Sequence, residues 1–116
     1  MSRTPEKFAA ERERLTRLLL EHGGRVTKRF INLDGAAYRA GALSAGFKEL
    51  LGLTASAVLR CDDCIAYHLG RCREEGLSTA VIVEALEVAL VVGGSIVIPH
   101  YRRALEYWER LGGSEA

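Results

Sequence analysis

Apolar residues recur at three- and four-residue spacing through most of the chain, punctuated by glycines, prolines and hydroxyl side chains; this periodicity predicts an all-α helical bundle. The first helix opens at Thr4-Pro5-Glu6, a hydroxyl N-cap followed by proline at N1 and an acid in the first turn, and runs to about Glu21. Phe8, Leu15, Leu18 and Leu19 make its narrow apolar stripe, while Glu13 and Arg17 form an i,i+4 pair on the wet side. His22, ahead of Gly23-Gly24, reads as a last-turn residue facing the negative end of the helix dipole. From Val26 to Ala42 the pattern is mixed, and it predicts two short helices, near Val26–Asn32 and near Asp34–Ala42.

Ser44 is the candidate cap of the next helix, expected over Phe47–Leu59. A tight break near Arg60 and Cys61 follows, then a second helix to about Glu75, stopped by Gly76 in the left-handed conformation. Ser78 or Thr79 caps a helix over Thr79–Val92, which is apolar most of the way round and so must be buried on most sides. A chain of this size cannot cover such a helix fully, so packing against other subunits is its natural outlet. Gly93-Gly94 ends it. The last helix, about Ser95 to Leu111, contains Pro99, which either kinks it or begins a new segment. Tyr101, Leu105, Tyr107, Trp108 and Leu111 are its core or interface positions, and His100 reads as structural.

At 116 residues the chain is expected to be one domain, residues 1–116, with no internal repeat. Sixteen basic against fifteen acidic residues leave a net charge of +1 with no basic stripe, which argues against a nucleic-acid partner. The Thr79–Val92 segment is too short and too charged to cross a membrane, and the N-terminal segment is too charged for a signal or transit sequence. Three cysteines, two of them as Cys-x-x-Cys without a signal peptide, point to a cytoplasmic redox role over a secreted disulfide framework.

The chemistry concentrates in Glu49–Cys72, which holds all three cysteines. Cys61 falls at N-cap or N1 of its helix, Asp62 and Asp63 in the first turn, Cys64 three residues on, and His68 four beyond Cys64 on the same face. Three readings compete. Zinc would suit the ligand types, but Cys61 and Cys72 lie roughly 16 Å apart along one helix, with no break before Leu69 to let four ligands converge. Small thiols buried in a core are the bland reading, which the in-register histidine weakens. Thiol–disulfide chemistry fits best, since Cys-x-x-Cys at a helix start lowers a thiol pKa and permits an internal disulfide. Helix position favours Cys61 as the nucleophile, whereas the i+4 imidazole favours Cys64. Cys72, two turns beyond Cys64, reads as a buried bystander. On propensity, Glu49 is a solvent-facing acid beside Lys48.

Glu49-x11-Cys61-x-x-Cys64-x3-His68, with the phrase CDDCIAYH, resembles the signature of the carboxymuconolactone decarboxylase superfamily in its AhpD-like alkylhydroperoxidase branch. The resemblance covers roughly Leu43 to Leu111. It implies a helical fold centred on an antiparallel helix pair, a homo-oligomer (trimers and hexamers being usual), and a thiol peroxidase needing neither cofactor nor metal. It further implies that Cys64 attacks a small-molecule peroxide, His68 takes its proton, Cys61 resolves the sulfenic acid, and Glu49 orients the network. An external dithiol then reduces the Cys61–Cys64 disulfide. The one departure is Asp63, where the peroxidase carries a histidine of its proton relay; it bears on hydroperoxidase activity more than on the fold. Rival expectations are a lyase acting on a small lactone acid, which does not depend on the dithiol, and a helical oligomer that binds a small apolar ligand.

Overall fold

Six α-helices and one 3-10 turn make up the described residues, 3–112, of the protein's computed structural model. They are α1 (Pro5–His22), α2 (Arg25–Ala37), α3 (Ala45–Val58), α4 (Asp62–Glu74), α5 (Thr79–Gly93), the 3-10 turn Ser95–Val97 and α6 (Ile98–Arg110). The all-α expectation holds, and most starts are set by local capping chemistry. Thr4, Ser44 and Ser78 each accept a hydrogen bond from a backbone N–H three residues on, satisfying a donor the helix cannot. Gly76, at φ 78°, ends α4 in a Schellman arrangement: Leu77 N–H donates to the Cys72 carbonyl at 3.1 Å and Gly76 N–H to that of Arg73 at 3.1 Å.

One expectation is corrected and one alternative is decided. In place of short helices at 26–32 and 34–42, α2 runs unbroken from Arg25 to Ala37. Gly35 lies inside it, and because one glycine costs a helix only about 1 kcal/mol the turn continues through it. After Gly94, of the two outcomes expected at Pro99, the new segment is the one found. Pro99 sits in the first turn of α6, where its missing N–H costs nothing, and a 3-10 turn precedes it.

The core lies between α3, α4, α5 and α6, with Leu53, Leu69, Ile82, Leu86, Val97 and Trp108 at its centre. Trp108 is buried whole because its indole N–H finds the Thr79 hydroxyl at 2.9 Å. α3 and α4 run antiparallel: Gly46 faces Glu75 at one end of the pair and Gly52 faces His68 further along. α1 leans on α2 and α4 and buries only Phe8 of its stripe, leaving Leu15, Leu18 and Leu19 exposed. α5 is covered on one side by the chain itself. Ile82, Ala85, Leu86 and Ala89 face inward, while Val88, Val91 and Val92 are 55%, 85% and 68% exposed. Among the described residues no helix is long and apolar enough to cross a membrane.

Candidate functional site: a cysteine pair over a buried carboxylate–imidazole dyad

The turn between α3 and α4 places the cysteines. α3 ends with Arg60 in the left-handed region at φ 60°, its N–H on the Ala57 carbonyl and the Cys61 N–H on that of Ser56. Glycine is the usual occupant of such a position, so the reversal is held by its hydrogen bonds against the side chain's preference. Cys61 is thereby the N-cap of α4, and its sulfur accepts the Cys64 N–H at 3.2 Å. Cys61 and Cys64 are joined in a disulfide, with Cα atoms 5.3 Å apart. Cys61 is half-buried and Cys64 exposed. Cys64 opens onto a groove of about 320 Å3 between α1 and the start of α4, lined by Phe8, Leu15, Leu19, Arg12 and Tyr67.

One turn below, Glu49 and His68 meet. Glu49 is 2% exposed, and its Oε1 accepts from His68 Nδ1 at 2.8 Å. Its other oxygen lies 3.5 Å from Arg71 Nε, and the same guanidinium also pairs with Glu74 and Glu75. Arg71 sits on one carboxyl oxygen and His68 Nδ1 on the other, which leaves Nε2 as the ring nitrogen that Glu49 does not engage. Facing Nε2 at 3.4 Å is the hydroxyl of Tyr38, from the end of α2. Gly52 permits this approach. A Cβ there would stand 2.7 Å from His68 Cε1, 2.8 Å from Nε2 and 2.9 Å from the Tyr38 hydroxyl.

Asp62, between the cysteines, is held from α6. It accepts from His100 Nδ1 at 2.7 Å and from Arg103 Nε at 2.9 Å. Burial pushes its carboxyl up, but those hydrogen bonds and the charges behind them outweigh burial and hold it below the usual carboxylate range. Asp63 points the other way, to Arg3 at 2.7 Å. Cys72 is wholly buried, and burial first, then the charges of Glu49 and Glu75, pushes its thiol up to about 12.

All four expected site residues, Glu49, Cys61, Cys64 and His68, therefore fall in one α3–α4 unit. His68 is engaged by Glu49 and Tyr38, and among the described residues it makes no hydrogen bond to either sulfur. Glu49 is not the solvent-facing acid that propensity alone favours. Tyr38, Gly52 and Arg71 were missed by sequence reasoning. Arg71 carries a signal after the fact, three residues past His68 on the same helix face; Tyr38 carries none. His100, on α6, is hydrogen-bonded to Asp62. No group of three or more His, Cys, Asp or Glu among the described residues is arranged to hold a metal ion.

Residues 24–107 match the sequence profile of the carboxymuconolactone decarboxylase family, so the match reaches back into α2. Two crystal structures from Thermotoga maritima superpose closely. One, of a family member suggested to be involved in antioxidative response, is 57% identical, with a TM-score of 0.88 over 91% of this chain and 90% of that one. The other is 58% identical, with a TM-score of 0.91 over 92% and 94%. A family protein from Legionella pneumophila shares the fold at 21% identity, with a TM-score of 0.85 over 92% and 96%. An uncharacterised protein of the cox locus in Paracoccus denitrificans is 27% identical over 92 residues, 79% of this chain and 83% of that protein. By its profile match and by these relatives, the chain belongs to the carboxymuconolactone decarboxylase family.

Proposed function

We propose that the protein is a thiol-dependent peroxidase of the AhpD-like type, cycling between a Cys61–Cys64 dithiol and disulfide. What supports this best is the disulfide itself: a cysteine pair bonded at a helix start, with the exposed sulfur of Cys64 one turn above a buried Glu49–His68 dyad. In the reduced protein Cys64 gives its proton to His68 and attacks the outer peroxide oxygen as thiolate. The O–O bond breaks, His68 returns the proton to the departing alkoxide, and an alcohol leaves with Cys64 as sulfenic acid. Cys61 displaces that hydroxyl as water, forming the disulfide. An external dithiol supplies the two electrons that reopen it. Cys64 takes the attacking role because it is the exposed sulfur and has the imidazole at i+4; Cys61 is half-buried and caps the helix.

Lyase chemistry on a small lactone acid, which the family name carries, has no use for a bonded cysteine pair, and this favours the redox reading. We further propose a homo-oligomer. Val88, Val91 and Val92 on α5, with Phe30 and Leu33 on α2, leave apolar surface of a kind monomers rarely expose. The direct test is titration of free thiols in the reduced protein before and after one equivalent of hydrogen peroxide. Rapid loss of the Cys61 and Cys64 thiols supports the peroxidase; no loss on the timescale of minutes refutes it.

A further inference from the structure

Tyr38 stands at the meeting point of three features that the peroxidase cycle above leaves unused. Its hydroxyl is 3.4 Å from His68 Nε2, the ring nitrogen that Glu49 does not engage. That separation is long for an O–H···N bond, so the contact is weak and easily exchanged. Tyr38 also lines an open groove of about 380 Å3 on the α2–α3 side, with Leu43, Lys48, Leu51 and Gly52. His68 is only 7% exposed and lies behind it. Finally, Asp63 stands where a relay histidine would be, and it is turned away to Arg3. The groups facing this imidazole are Glu49, with Arg71 behind it, Tyr38, and the Tyr67 ring at 5.3 Å.

We propose that Tyr38 is the positioning residue that passes protons between His68 and solvent, its hydroxyl bridging the buried imidazole and the α2–α3 groove. This rests on the dithiol reading of the site. In the reductive half, one thiolate of an external dithiol attacks the exposed Cys64 sulfur, the disulfide breaks, and Cys61 leaves as thiolate. The reagent's second thiol gives its proton to the Cys61 thiolate, closes its own disulfide and releases Cys64 as thiolate. Two electrons have moved to the cysteine pair, and Cys64 needs one proton. Tyr38 gives its hydroxyl proton to Nε2 as water in the groove replaces it, and His68 passes the Nε2 proton to Cys64. In the oxidative half His68 keeps the proton it takes from Cys64 for the departing alkoxide, so the path to solvent serves the reductive half. A relay of this kind needs a neutral phenol, and burial together with the charges of Asp34 and Glu49 raises the Tyr38 pKa above its ordinary value. Lys48, across the groove, is occupied with the Arg39 carbonyl at 2.7 Å and does not compete.

The test is steady-state turnover of hydrogen peroxide with dithiothreitol, comparing wild type, Tyr38→Phe and Gly52→Ala across the neutral pH range. Tyr38→Phe keeps the ring and should melt as wild type does. Its kcat should fall about tenfold, less than the ~10²–10⁴-fold of a group that meets the reacting atom itself, with the peroxide KM unchanged. Added imidazole should restore the rate, and the solvent deuterium isotope effect should change. Gly52→Ala, whose Cβ meets both the His68 ring and the Tyr38 hydroxyl, should lower kcat further, and imidazole should not restore it. A Tyr38→Phe enzyme within twofold of wild type at every pH overturns the relay alone. So does a Tyr38→Phe deficit that imidazole leaves untouched, since that marks a structural role. A wild-type protein that does not turn over peroxide overturns the peroxidase reading, and the relay with it.

Discussion

Truncating Glu49 separates what the dyad does for the fold from what it does for chemistry. Glu49→Ala leaves the buried His68 Nδ1 donor without its acceptor, a loss of about 1–3 kcal/mol. Removing one buried methylene adds about 0.8 kcal/mol. Arg71 adds little, because its guanidinium is 37% exposed and retains Glu74 and Glu75. The sum is roughly 2–4 kcal/mol for the alanine variant. Glu49→Gln keeps an oxygen for Nδ1 and exchanges a charge-assisted bond for a neutral one, so it should cost only about 1 kcal/mol. Both variants should nonetheless lose peroxide reactivity, since neither keeps the Glu49 carboxyl group against His68 Nδ1. Urea unfolding at fixed chain concentration gives the stabilities, and thiol loss after a peroxide pulse gives the reactivities. An alanine variant as stable as the glutamine one, or a glutamine variant with wild-type reactivity, would refute the reasoning.

Three further outcomes follow from residues around the pair. Cys72, with its thiol pushed up to about 12 and no exposed surface, should resist alkylation in the native reduced protein near pH 8 and react only on unfolding; native labelling of all three cysteines at one rate would contradict this. Asp62 has a folded-state pKa below its unfolded value of about 3.9, so its contribution to stability is present above that pH and is lost as pH falls through the folded pKa. Asp62→Asn should therefore flatten the acid limb of the stability profile below about pH 4, and an unchanged limb would show that the His100–Arg103 clamp does not bear on folding. Arg60→Gly, at φ 60°, should stabilise the α3–α4 turn by up to about 1 kcal/mol and raise Tm by a few degrees; a fall in Tm would mean that the arginine side chain contributes contacts outweighing its backbone strain.

Much of the architecture was legible because it is written locally. Caps at Thr4, Ser44 and Ser78 and the stop at Gly76 depend on one residue and its near neighbours, and each lies where its chemistry puts it. Residues 26–42 carry no such signal, and there the mixed pattern suggested two short helices where one runs from Arg25 to Ala37. Within the site, Cys61, Cys64 and His68 share a helix, so spacing alone aligned them. Glu49 is on another helix, and its propensity pointed to solvent; only the motif indicated that it turns inward. Tyr38 and Gly52 were out of reach altogether. Their roles exist because α3 lies close against α4 at Gly52 while the end of α2 folds over that contact, a tertiary event with no local period. The link from Asp62 to His100 and Arg103 spans 38 and 41 residues and was hidden in the same way.

The central claim is that Cys61 and Cys64 are a working redox couple with unequal partners. Peptide mass spectrometry of the reduced protein and its two single-serine variants, quenched after a brief peroxide pulse, tests this most directly. The account predicts a Cys61–Cys64 disulfide peptide, two hydrogens lighter, in the wild type and Cys72 unmodified. It also predicts sulfenic acid trapped on Cys64 in Cys61→Ser, and an almost inert Cys64→Ser. Oxidation of Cys64→Ser at the wild-type rate would move the nucleophile to Cys61, and a wild-type protein with both thiols intact would contradict the account.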